Sequence, residues 1–64
     1  MYINKIKKIR EEQGMTLEKL ASLAGISQGY ICHLEKGKRN NPSIEVMNNI
    51  SSALGKSVAE VFFE

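Results

Sequence analysis

The sequence predicts an all-α protein built from five short helices, and three observations lead to this fold class. Apolar residues recur every three or four positions, which is the period of a helix with one buried face. Four of the five glycines directly follow such a stretch, where the end of a helix favours glycine. A serine or threonine that can cap a helix precedes four of the stretches. No part of the chain is interpreted as a strand.

The first predicted helix covers about residues 3–13. Ile3, Ile6 and Ile9 are spaced by three positions, so they lie on one face of this helix. The lysines between them are expected to form its solvated face. Gly14 follows, where the helix is expected to end.

The second and third predicted helices, at about residues 17–24 and 28–36, are joined by a tight turn. Thr16 can cap the second helix and Ser27 the third. Gly25 stands between them and can adopt a positive φ without steric cost. Two short helices that share an apolar face, with basic residues directly after the second, are the layout of a DNA-binding helix-turn-helix.

The fourth predicted helix follows Pro42 and Ser43 and runs to about Leu54. Its apolar residues again recur at steps of three and four. The fifth helix begins with the sequence SVAE, in which Ser57 and Glu60 have the spacing of a capping box.

Length and composition restrict the class of protein. With 64 residues, the chain is predicted to form a single domain over residues 1–64, too small for a buried catalytic pocket. The net charge of +2 and the pI near 8.9 are only mildly basic and do not by themselves indicate a nucleic-acid partner. Cys32 is the one cysteine, so no internal disulfide forms. The chain shows neither a signal peptide nor an apolar run of roughly 20 residues, so we expect a cytoplasmic protein without membrane contact.

Taken in order, these motifs resemble the Cro/C1-type (Xre family) helix-turn-helix repressors, and among them the SinR-like branch. The matching segments are KIKKIREEQGMTLEKLA, AGIS, YICHLEKGKR and NPSIEVMNNISSALG, which together cover nearly the whole chain. The resemblance implies a compact five-helix bundle of the lambda-repressor-like type in a bacterium or phage. It further implies a nucleoid-associated transcriptional regulator that reads a two-fold operator as a homodimer, with helix 3 in the major groove.

The outward arc of helix 3 supplies the predicted contacts with DNA bases. This arc lies opposite the apolar residues of the helix, and its members are Gln28, Gly29, Cys32 and His33. A glutamine amide can pair with both N6 and N7 of adenine. The alternative for the whole arc is an ordinary solvated face. Gly29 either lets the helix lie close to a base or sugar, or it reflects some other packing demand or neutral drift.

A second group of residues is predicted to contact phosphates, since hydroxyl, amide and cationic side chains all bind phosphate oxygens. Its members are Thr16, Ser27, Tyr30, Lys36, Lys38, Arg39, Asn40 and Asn41. Phage repressors often have a phosphate-binding glutamine at the start of helix 2, where this chain has Leu17. Thr16 or the backbone amides of helix 2 are expected to serve instead.

Two further pairs have predicted roles. The resemblance implies that Arg10 forms a structural ion pair with Glu35. Phe62 and Phe63 are consecutive, so they are not expected to face one core together. Phe63 is expected to be exposed, and the pair is predicted to contribute a dimer contact. Alternatively, Phe63 is exposed only because the C-terminus is shortened and the residues that would cover it are missing.

Two rival functions remain. The same fold can serve as a protein-interaction adaptor that binds a toxin or an anti-repressor. An enzyme is disfavoured because the chain has one histidine, one cysteine and no carboxylates in a recognisable catalytic spacing. Cys32 and His33 cannot hold a metal, since neighbouring side chains on a helix diverge by roughly 100° and no further Cys or His completes the site. No cofactor is expected.

Overall fold

A computed structural model describes residues 4–37 and 42–63 of the chain. Within these ranges the structure has five helices, as predicted, and no strand longer than a single residue. The helices are α1 (Ile6–Glu12), α2 (Leu17–Ala24), α3 (Gln28–Glu35), α4 (Ile44–Leu54) and α5 (Val58–Phe62). No helix in the described ranges has the length and apolar character needed to cross a membrane.

Helix α1 is shorter than the predicted span of residues 3–13. It begins at Ile6, because the side-chain carbonyl of Asn4 accepts a hydrogen bond from the Ile6 N–H (3.0 Å). It ends at Glu12, and Gln13 follows with φ −90° and ψ 1°. Ile3, the first apolar residue of the predicted pattern, lies outside the described residues.

The other four helices begin at hydroxyl side chains, as predicted. Each hydroxyl oxygen accepts a hydrogen bond from the backbone N–H three residues later, and the four caps are Thr16, Ser27, Ser43 and Ser57. At α5 the capping box is complete, because the Ser57 N–H also donates to Oε1 of Glu60 (2.9 Å). The four glycines predicted to follow helices have φ between 66° and 76°.

The core receives side chains from all five helices, and α2 and α4 pack together at its centre. Its fully buried large side chains are Ile6, Leu20, Ile31, Leu34, Ile50, Val61 and Phe62. Helix α1 is fastened to the C-terminal half by two hydrogen bonds. The Lys5 N–H donates to the Val61 carbonyl (2.9 Å), and Nε2 of Gln13 donates to the Leu54 carbonyl (2.8 Å).

The C-terminal phenylalanines correct one expectation. Phe62 is fully buried, and Phe63 is half-buried against the same core rather than exposed. Consecutive side chains of a helix diverge, but Phe63 has already left α5 in an extended conformation (φ −137°, ψ 155°). The prediction that Phe62 contributes a dimer contact is therefore wrong, because its surface is covered within its own chain. A dimer contact at Phe63 stays a prediction.

Candidate nucleic-acid interface

The turn between α2 and α3 fixes how these two helices cross. Gly25 has φ 69° and ψ 32°, a left-handed conformation that side chains other than glycine adopt at a cost. The N–H of Ile26 then donates to the carbonyl of Ala21 (3.1 Å), which closes the end of α2 in a Schellman-type turn. Ser27 starts α3 one residue later. Only two residues thus separate the end of α2 from the cap of α3.

Helix α3 has one buried face and one exposed face. Ile31 and Leu34 are fully buried, whereas Gln28, Gly29 and His33 are exposed. Three of the four predicted base-contacting residues therefore lie on the free face of the helix. These three residues are accessible to a binding partner.

Cys32 and Tyr30 are less accessible than their predicted roles suggest. Cys32 is a free cysteine that is only partly exposed. Tyr30 is half-buried and packs against the core. Both side chains lie at the border between the two faces of α3, because each is a neighbour in sequence of the fully buried Ile31.

Packing within the chain does not explain why residue 29 is glycine. A Cβ added to Gly29 would have no atom within 4 Å apart from its own surroundings on the helix. Its φ is also not in the region that favours glycine. Packing within the described part of the chain therefore does not account for this glycine, and close approach to a partner and neutral drift both remain as interpretations.

The predicted phosphate-contacting residues are described only in part. Thr16 and Ser27 are exposed, each at the start of a helix, where unpaired N–H groups and the helix dipole favour an anion. Lys36 is exposed directly after α3. The remaining members, Lys38, Arg39, Asn40 and Asn41, lie outside the described residues.

The structure brings Arg10 and Glu35 together, as the resemblance implied. Nε and one terminal nitrogen of Arg10 donate to the two carboxylate oxygens of Glu35, at 2.8 and 3.2 Å. The other terminal nitrogen donates to the carbonyl of Met15 (2.9 Å). The side chains are only 12% and 7% exposed, and the hydrogen bonds with Glu35 raise the pKa of Arg10 above its ordinary value. One guanidinium thus connects α1, the end of α3 and the segment before α2.

Sequence reasoning missed a second connection between α1 and α3. The side-chain amide nitrogen of Asn4 donates to the carbonyl of Leu34, in the last turn of α3. Gln13, which fastens α1 to the end of α4, was missed as well. Asn4 and Gln13 each lie just outside α1, and this position in the sequence does not identify hydrogen-bond partners that are 30 and 41 residues away.

The described residues contain no group of three or more His, Cys, Asp or Glu side chains placed to hold a metal ion. A hollow of about 250 Å³ lies beside α1 and α5, and none of its lining residues belongs to α2 or α3. Its lining is mostly lysine and glutamate, namely Lys5, Lys8, Glu12, Lys56 and Glu60, together with Ile9.

Known proteins share both the sequence pattern and the geometry. A family model described as helix-turn-helix matches residues 6–61. The HTH-type transcriptional regulator SinR of Bacillus subtilis (strain 168) is 37% identical over 54 residues, which are 84% of this chain and 49% of SinR. The chain spans about half the length of SinR from Bacillus subtilis and from Bacillus licheniformis.

Two solved structures superpose closely on this chain. The restriction-modification controller protein C.AhdI of Aeromonas hydrophila gives a TM-score of 0.83 at 28% identity, covering 88% of this chain and 83% of that one. SinR, the master regulator for biofilm formation, in complex with DNA gives a TM-score of 0.81 at 37% identity. That superposition covers 84% of this chain and 86% of the SinR chain.

Proposed function

Because this chain belongs to the helix-turn-helix family, in its Cro/C1 type, we propose that it binds double-stranded DNA sequence-specifically and regulates transcription. In this proposal α3 lies in the major groove and the exposed starts of α2 and α3 meet the phosphate backbone. We favour a repressor, the role that the resemblance to Cro/C1-type repressors implies. The relative SinR was solved in complex with DNA, which supports the same partner here.

The observation that carries the proposal is the division of α3 into two faces. Ile31 and Leu34 fix the helix in the core, while Gln28, Gly29 and His33 remain exposed. A helix held in this way can enter the major groove and present polar side chains to base edges. Gln28 is in the first turn of α3, the part of a recognition helix that contacts bases in this class of protein.

The proposed assembly is a homodimer on a two-fold operator. Two copies would place their recognition helices in successive major grooves, about 34 Å apart. The half-buried Phe63 is the predicted contact between them. We also propose that the protein acts in the cytoplasm, at the nucleoid, and that it has no enzymatic activity.

Selection of bound sites from random double-stranded DNA tests the proposal. We expect a motif with two-fold symmetry, and Gln28→Ala should lose about 1–3 kcal/mol on that motif and little on random DNA. A parent chain that enriches no motif would contradict sequence-specific binding. If Gln28→Ala selects the parent motif with undiminished information content, Gln28 does not read a base.

A matched pair of lysine variants tests the contacts with phosphates, which do not depend on the DNA sequence. Lys36→Ala and Lys56→Ala each remove one exposed cation, but only Lys36 lies beside α3. We expect Lys36→Ala to reduce the slope of log K against log salt by roughly 0.9 and Lys56→Ala to leave it unchanged. Equal slopes for both variants would remove Lys36 from the proposed interface.

The adaptor hypothesis gives the opposite result in a simple assay. A protein-binding module that uses this fold for a toxin or an anti-repressor needs no affinity for phosphates. Failure of the parent chain to be retained on heparin and on random DNA at low salt would favour the adaptor. Retention that decreases with salt supports DNA binding.

A further inference from the structure

Asn4 makes two hydrogen bonds in different directions. Its side-chain carbonyl accepts from the Ile6 N–H (3.0 Å), and its amide nitrogen donates to the Leu34 carbonyl. The first bond starts α1, since Lys5 at the N-cap position supplies no side-chain acceptor. The second bond reaches the last turn of α3. One side chain therefore links the start of α1 to the end of α3.

The bond to Leu34 is not needed to satisfy that carbonyl. The Gly37 N–H already donates to the same oxygen (3.1 Å), as expected at the end of a helix. The contribution of Asn4 is consequently to the position of α3 rather than to its internal hydrogen bonding. Arg10, which lies on α1, holds the neighbouring residue, Glu35.

Helix α3 packs closely against α2, whereas its contacts with the first part of the chain include the side-chain hydrogen bonds of Asn4 and Arg10. These two links therefore help to set the tilt of α3. About 12 Å separate Gln28 from Lys36 along a helix that rises 1.5 Å per residue. A tilt of roughly 10° would move the far end by about 2 Å, which is more than a hydrogen bond tolerates. His33 lies in the last turn of α3 and Lys36 directly follows the helix, and both are exposed.

We propose that Asn4 is a positioning residue of the DNA interface, which holds the end of α3 so that His33 can reach the bases and Lys36 can reach the phosphate backbone. This inference rests on the proposed function. Asn4 itself does not contact DNA in this proposal. It acts through the Leu34 carbonyl.

Two substitutions separate the link to α3 from the start of α1. In Asn4→Ser the hydroxyl can still accept from the Ile6 N–H, but it is too short to replace the amide as donor to Leu34. In Asn4→Asp the carboxylate strengthens the start of α1 and points an acceptor at the Leu34 carbonyl. Because the carboxylate of Asn4→Asp stabilises the start of α1, this variant should stay folded and can be tested even if Asn4→Ser unfolds. Asn48→Ser and Asn48→Asp are the controls, since Asn48 is exposed on α4.

The readout is the salt dependence of binding to the selected site and to random DNA. We expect both Asn4 variants to bind both DNAs more weakly, by about fivefold at about 0.15 M salt for every phosphate that α3 no longer reaches, with a slope lower by roughly 0.9 per phosphate. A variant that was merely less stable would lower the active fraction and leave the slope unchanged. The Asn48 variants should retain the parent slope.

The free protein provides a second readout that does not depend on DNA. In the parent, nuclear Overhauser effects should join the Asn4 side-chain amide protons to the last turn of α3. In the Asn4 variants, amide shift changes should extend to residues 34–37. Parent slopes in both Asn4 variants, or shift changes confined to α1, would overturn the inference. A parent chain that binds no DNA at all would instead defeat the proposed function, and this positioning role with it.

Discussion

At the scale of single residues, Gly29 is the position where stability and function are expected to conflict. Glycine within a helix costs roughly 1 kcal/mol relative to alanine, and an added Cβ at this position meets nothing within 4 Å. The free domain would therefore be more stable with alanine. We interpret the glycine as a notch in the exposed face of α3 that allows a base or sugar to approach the backbone.

The change Gly29→Ala should therefore have effects of opposite sign. The melting temperature should rise by about 4–8 °C per kcal/mol gained, while affinity for the selected operator falls. Ser52→Ala, on an exposed position of α4, is the control and should leave binding unaltered. Thermal unfolding and operator titration of the two variants provide the comparison. Undiminished operator affinity of Gly29→Ala would contradict the notch.

At the scale of helices, the Arg10–Glu35 pair is the main polar link that holds α3. Both side chains are largely buried, so removing one partner leaves a charge that water cannot fully solvate. Glu35→Ala should cost about 3–5 kcal/mol of unfolding free energy. Glu45→Ala, which removes an exposed carboxylate from the first turn of α4, should cost about 1 kcal/mol or less. Denaturant unfolding of both variants measures the difference, and equal stabilities would show that the pair is an ordinary surface contact.

The capping box of α5 gives the fold a dependence on acid pH. The backbone N–H of Ser57, above all, holds the pKa of Glu60 below its ordinary value of 4.5. A carboxylate with a lowered pKa in the folded state stabilises the fold fully above its ordinary pKa, and this contribution is lost as the pH falls through the lowered value. Helix α5 has only five residues, so it depends on such local support.

We accordingly expect the stability difference between the parent and Glu60→Gln to shrink as the pH is lowered below about 4.5. Glutamine keeps an acceptor for the Ser57 N–H but does not titrate. Unfolding midpoints measured between pH 7 and pH 3 would reveal the trend, with Glu45→Gln as the control for loss of one carboxylate. A difference that stays constant with pH would mean that the ionised form of Glu60 adds nothing to the cap.

The helices also show where sequence reasoning succeeds. Caps such as Ser27 and turns such as Gly25 involve residues within a few positions of one another, so a local pattern is sufficient to predict them. The hydrogen bond from Asn4 to Leu34 and the packing of Phe63 against the core depend on how distant segments meet. No local pattern contains that information. The Arg10–Glu35 pair was predictable only through the resemblance to a family.

At the scale of the whole molecule, a homodimer would read two half-sites in a fixed spatial relation. Inserting roughly 5 base pairs between the half-sites rotates one of them to the far side of the duplex. Cooperative binding should then be abolished, and insertion of a full turn should restore part of it. Electrophoretic titration of the three spacings measures this effect. Equal affinity for all spacings would indicate that the domain binds as independent monomers.

The order in which the molecule folds follows from the two links that hold α3. They join residues separated by 25 and 30 positions, whereas the turn from α2 to α3 is local. Local helix pairs form early, because closing a longer loop costs more chain entropy. We expect mutational φ-values near zero at Asn4 and Arg10 and higher values where α2 meets α3. Helix α1 leaves the ribosome before α2 to α5, yet it would complete its contacts with α3 among the last, so a nascent chain would acquire an aligned α3 only late in folding.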